Sequence, residues 1–145
     1  MQRRSEEMRS IGEAILKRKG NDMQFIKGLT AKGGHYSPGV IAGGMLYISG
    51  QLPKDPATGE LVRGSFAEQT KAALACVDRV LASAGLSKED VVMCHVYIPD
   101  MTGWDEVNLA YGEFFGDHKP ARVVVPTREL HHGALVEIEA VAEVR

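Results

Sequence analysis

Apolar positions recur with two different periods along this chain, and the changes of period mark its elements. Val40–Ala42 and Met45–Ile48 are apolar runs on either side of Gly43-Gly44. Paired glycines supply the positive φ angles of a two-residue turn, so these runs are predicted as the arms of a β-hairpin. Lys54 to Gly59 is a turn cluster. Ser65 with Glu68 three positions on forms a capping box, followed by Phe66, Ala73, Val77, Val80 and Ala84 at helical spacing. Gly85 stops that helix. Val91–Ile98 is rich in β-branched residues and ends at Pro99, which predicts a strand. Thr102 with Asp105 predicts the start of a second helix, with Trp104, Val107, Tyr111 and Phe114 as its stripe and Gly116 as its end. Ala121–Val125 and Leu135–Val144 are predicted as two further strands.

The order hairpin, helix, strand, helix, strand, strand predicts an α+β fold, a single mixed β-sheet with two helices on one face. The other sheet face then needs a cover, and self-association is the economical one. No repeat, low-complexity tract or linker divides the chain, so its 145 residues are expected to form one domain. Residues 1–24 differ from the rest in being charge-rich. Met8, Ile11 and Ile15 have the spacing of a short amphipathic helix, but a weakly docked extension ahead of a domain at 25–145 is the preferred expectation.

Charge and composition narrow the partners. Lys and Arg total 17 against 19 Asp and Glu, so there is no uniform basic field to hold nucleic acid or an anionic bilayer. No apolar run is long enough to span a membrane. The first twenty residues lack an apolar core and carry Glu, which argues against a secretory or mitochondrial leader. The two cysteines, Cys76 and Cys94, sit in apolar patterns and read as reduced thiols of a cytoplasmic protein.

Candidate chemistry concentrates near the C-terminus. Period two on the last strand puts Val136, Ile138, Ala140 and Ala142 on one face and Glu137, Glu139 and Glu143 on the other. The acidic face meets either water or a polar cleft. Arg122 opens an otherwise apolar strand, where a guanidinium can hold a carboxylate through two parallel hydrogen bonds. A salt bridge to a strand glutamate is the structural alternative. The five histidines include no HExxH pair, and the cysteines are too far apart for a zinc knuckle. His131 and His132 point apart if extended, so they are expected as loop residues and no metal site is predicted. Cys94 and His95 face opposite sides of a strand and make a poor nucleophile pair. Gly33-Gly34 and Gly43-Gly44 lack a strand–GxGxxG–helix setting, so no nucleotide cofactor is predicted.

The strings GHYSPGV, LYISGQLPKDPATGELV and EQT, the segment from VNLAYGEFF to HKPARVVV, and ALVEIEAVA closely resemble the reactive intermediate deaminase A (RidA, or YjgF) family. The likeness runs from about Gly34 to Val144, with several motifs in order. It implies a chorismate-mutase-like fold, a homotrimer, and an active site in each cleft between subunits. It also implies cofactor-free hydrolysis of 2-imino acids, derived from enamines such as 2-aminoacrylate, to 2-keto acids and ammonia. By position, Arg122 matches the family's carboxylate-clamping arginine, and Glu137 the acid that positions the attacking water. Tyr36 matches the aromatic residue bordering the pocket, Ser49 and Gly50 the ligand-contacting turn, and Asn108 the helix residue beside it. Departures are His35 and Pro38 in the first motif, Val124 where a cysteine is usual, and the loop Glu129–Ala134. Two other readings compete: a trimeric keto-acid-binding or chaperone-like module with little turnover, and RNA cleavage. The absence of a basic–aromatic stripe ranks RNA cleavage last.

Overall fold

The computed structural model describes residues 15–17, 22–30 and 32–145. Strands β1 (Ile15–Lys17), β2 (Gln24–Ile26), β3 (Gly39–Ala42) and β4 (Met45–Gln51) precede helix α1 (Phe66–Ser83). Strand β5 (Val91–Ile98), helix α2 (Trp104–Phe115) and strands β6 (Ala121–Pro126) and β7 (Glu137–Glu143) complete the described elements. The hairpin forms as predicted: Gly43 and Gly44 have φ of 58° and 76°, and Ala42 pairs with Met45 across the turn. These angles suit the right-handed strand twist and favour glycine at both positions.

Helix α1 begins at the predicted capping box. Ser65 Oγ accepts from the Glu68 amide at 3.1 Å, and Glu68 Oε2 accepts from the Ser65 amide at 2.8 Å. The second helix starts differently from the expectation at Thr102. Asp100 Oδ1 accepts from the Thr102 amide at 2.9 Å and from its hydroxyl at 2.7 Å, capping a 3₁₀ turn at Met101–Gly103 that leads into α2. Thr102 is thus a bonded partner of the cap rather than the cap itself. The Phe66 ring presses on Gly103 where any larger residue would carry a Cβ, which locks the starts of the two helices together.

Among the described residues the sheet has seven strands in the order β1-β2-β3-β4-β7-β5-β6. Only β5 and β6 run parallel, so the sheet is mixed. The two helices pack on one face over Leu46, Ile48, Val96, Ile138 and Ala140, with Leu74, Val77, Val80 and Val107 opposite. The α+β architecture is that expected. Strand β7 is shorter than the predicted Leu135–Val144 because the Leu135 amide donates to Gln69 Oε1 of α1 at 2.9 Å instead of joining the ladder. Strands β1 and β2 are not predicted by the sequence; three residues give too few alternations to reveal a period. Ile15 lies in a strand, so the described part of the N-terminal segment extends the sheet, and the expected boundary at 24/25 falls within β2. Met8 and Ile11 lie outside the described residues. No helix among the described residues is long and apolar enough to cross a membrane.

Candidate active site

The alternation of β7 divides its side chains as the sequence predicts. Val136, Ile138, Ala140 and Ala142 are buried under the helices, while Glu137 and Glu139 stand on the face the helices leave open. Cross-strand register pairs Glu139 with His95 and Glu137 with Tyr97. The two glutamates have different surroundings. Glu139 Oε1 accepts from the Tyr97 hydroxyl at 2.5 Å and lies 3.5 Å from His95 Nδ1. That hydrogen bond holds the Tyr97 phenol above its ordinary pKa. Glu137 is half-buried and has no hydrogen-bond partner among the described residues. Desolvation by burial pushes its carboxyl above the usual carboxylate range, and the Glu139 charge pushes it the same way. His131 acts in the opposite sense.

A bulge in β4 shapes the wall facing Glu137. Ile48 pairs with Ala140 and Gln51 with Ile138, so three steps along β4 oppose two along β7. Gly50 lies within this bulge, and a Cβ there would run into the Glu137 carboxylate. Ser49 anchors the approaching loop: its hydroxyl donates to the Ser37 carbonyl at 2.6 Å, and its amide to the Pro38 carbonyl at 3.0 Å. The hydroxyl hydrogen is therefore engaged, and Ser49 Oγ is left with its lone pairs as an acceptor. Tyr36, Ser49, Gly50 and Glu137 line one cavity of about 610 Å³ together with His131 and His132.

The histidine pair lies in a loop, as expected. Residues His131–Gly133 form a 3₁₀ turn, with His132 at φ 59° and the two ring centroids 3.8 Å apart. The turn, rather than an extended backbone, brings the rings together, tilted at 42° to each other. Arg63 Nη1 donates to the His132 carbonyl at 3.0 Å and holds the turn in place. Among the described residues no group of three or more His, Cys, Asp or Glu side chains is placed to hold a metal ion. Sequence reasoning did not bring His131 or His132 into the site. It also missed His95 and Tyr97, although period two on β5 places both on the glutamate face.

Arg122 and Asn108 meet each other but not Glu137. Arg122 Nη1 donates to Asn108 Oδ1 at 2.9 Å, and the guanidinium lies 4.8 Å from the Tyr111 ring centre and 5.8 Å from that of Trp104. The aromatic faces stabilise the cation by a cation–π contact. Arg122, Asn108 and Tyr111 border a separate cavity of about 500 Å³. Arg122 is in register with Cys94, and Cys94 with buried Ala140, so Arg122 belongs to the helix side of the sheet. Glu137 belongs to the other side. No described carboxylate lies within ion-pair distance of Arg122, and the alternative of a salt bridge to a strand glutamate does not form. Cys94 is buried, with its thiol pushed up by burial, and His95 faces away from it, as the strand geometry requires.

Comparison with known proteins gives consistent matches. Residues 28–144 match the family model described as Endoribonuclease L-PSP. A RutC family protein of Pyrococcus horikoshii is 44% identical over 109 residues, covering 75% of this chain and 86% of that protein. A bovine 2-iminobutanoate/2-iminopropanoate deaminase is 40% identical over 109 residues, covering 75% of this chain and 80% of that enzyme. Among solved structures, the YjgF gene product of E. coli superposes with a TM-score of 0.74 at 36% identity, over 79% of this chain and 91% of that one.

Proposed function

The chain belongs to the Rid/YjgF family, also described as endoribonuclease L-PSP, and from that premise we propose that it hydrolyses 2-imino acids to 2-keto acids and ammonia. The observation that carries this reading is Glu137, an unpaired carboxylate of raised pKa at a cavity wall where Gly50 leaves room for it. An iminium carbon is already electrophilic, so the protein needs to orient a water and accept its proton rather than supply a strong nucleophile. Glu137 takes one proton from the attacking water as the new C–O bond forms and the C=N π pair moves onto nitrogen. The proton then passes from Glu137 to the amino nitrogen, and the ionised Glu137 takes the remaining hydroxyl proton as the O–H pair forms the keto C=O and the C–N pair leaves with ammonia. Ser49 Oγ offers a lone pair to an iminium N–H, consistent with its hydrogen lying on Ser37. Tyr36 borders the substrate.

Arg122, steadied by Asn108, is the proposed clamp for the substrate carboxylate. Because it lies on the other side of the sheet from Glu137, this reading takes Arg122 from a second copy, in a homotrimer with sites in its clefts. The exposed Tyr47 and Val123 on the open sheet face favour such a cover. Every residue given a role lies within 25–145, the proposed reaction uses no cofactor, nucleic acid or membrane, and two buried free thiols suit the cytoplasm.

The test generates 2-imino acids in situ with an amino-acid oxidase and traps those that survive with semicarbazide. Faster loss of the trappable species, with matching release of ammonia and keto acid, is expected. Stoichiometric keto-acid binding without acceleration would overturn the reading in favour of a binding module.

A further inference from the structure

A groove of about 430 Å³ lies beside the Glu137 cavity, and the two share Lys32, Tyr36, Gly50, Leu52 and Lys54 as walls. Its size falls within the roughly 300–1,000 Å³ of small-molecule sites. Its far wall is α1, which contributes Cys76 and Arg79. The chain as a whole is slightly acidic, yet this groove gathers Lys32, Lys54 and Arg79 around a single carboxylate, Asp55. Asp55 Oδ1 is already engaged by the Ala57 amide at 2.7 Å, shaping the turn. Among the described residues none of the three cations has an ion-pair partner.

The backbone holds Lys54 in place. Its amide donates to the Leu52 carbonyl at 2.8 Å, its carbonyl accepts from Cys76 Sγ at 3.3 Å, and it bridges to Leu61. The loop is thus tied to α1 three residues before Arg79. Local cationic excess without local acids attracts an anion, and a partly enclosed groove strengthens the attraction over that of open surface.

We propose that this groove is an anion subsite continuous with the Glu137 cavity, and that the preferred substrates are 2-imino acids whose side chain ends in a second carboxylate. The proposal rests on the imine-hydrolysis reading. The reacting carbon sits beside Glu137, and the side chain runs past Gly50 and Tyr36, which line both spaces. Its terminal carboxylate then lies among Lys54, Arg79 and Lys32. A short neutral side chain leaves these three cations to solvent and gains nothing from them.

The test compares imino acids made in situ from glutamate with those made from leucine, each by an oxidase of matching specificity. Expected is a kcat/KM about tenfold or more higher for the acidic substrate, the scale of one charge-assisted contact. Arg79→Gln should lower the acidic substrate about fivefold or more and leave the neutral one within about twofold, with Arg79→Lys retaining most of the preference. Equal rates for the two substrates, or equal losses on both in Arg79→Gln, would overturn the subsite. Calorimetric binding of 2-oxoglutarate and 2-oxobutanoate separates this from failure of the deaminase reading. Tighter 2-oxoglutarate binding that Arg79→Gln abolishes supports the subsite even where no imine is hydrolysed, and equal binding of the two overturns it.

Discussion

At the scale of single residues, two carboxylates on the same strand face have different surroundings. Glu139 is held by Tyr97 and His95, whereas Glu137 is unpaired and half-buried beside Gly50. Glu137→Gln should therefore lower turnover by about 10²–10⁴-fold, the usual weight of a general base, while keto-acid binding survives. Glu139→Gln should be much milder on turnover. It removes a negative charge that raises the Glu137 pKa, so the acid limb of its pH–rate profile should move to lower pH than in the wild type. An unshifted limb would mean that another group titrates there. The raised pKa also bears on stability. Folded Glu137 holds its proton more tightly than the unfolded chain does, so stability falls as pH rises from the ordinary carboxylate value through the raised one. Above that window the ionised carboxylate costs stability, and Glu137→Gln should melt at the same or a higher temperature than the wild type at pH 7. Gly50→Ala should lose activity, because its Cβ displaces the Glu137 carboxylate.

At the scale of elements, local signals decide boundaries and tertiary contacts adjust them. The Ser65–Glu68 capping box satisfies two amides at the start of α1. Ser65→Ala should cost about 1 kcal/mol in urea unfolding with kcat unchanged, since the cap is exposed and lines neither cavity. The start of α2 was less legible because Asp100 and Thr102 are both good caps and bond to each other. The start of β7 depended on Gln69, a buried polar side chain 66 positions from Leu135, whose partner no local pattern reveals. The β4 bulge is of the same kind. It exists only through pairing with β7, yet it brings Gly50 up to Glu137.

At the scale of the molecule, one chain holds the proposed base and the proposed clamp on opposite sides of its sheet. If the cleft between copies is the site, Arg122→Lys should lose about 2–3 kcal/mol of transition-state stabilisation, since an ammonium cannot offer two parallel donors to a carboxylate. Unfolding and remixing inactive Glu137→Gln with inactive Arg122→Lys should then restore measurable activity, because some clefts receive an intact residue from each parent. Mixtures as inactive as their parents would place both groups within one chain's site. Sedimentation equilibrium should give three times the 15.8 kDa chain mass.

The hairpin, both helices, the strands from β5 onward and the two faces of β7 were readable in the sequence, because each rests on interactions within a few residues or on a period that burial enforces. Motif likeness similarly pointed to Arg122, Asn108, Tyr36, Ser49, Gly50 and Glu137. Only the folded chain decided which of these meet. Sheet register sent Arg122 and Glu137 to different faces, a turn brought His131 against His132, and Tyr97 with His95 took up Glu139. These outcomes depend on pairing between residues remote in sequence. A periodicity assigns a side chain to a face of its own strand, but the partner across that face is set by which strand lies beside it.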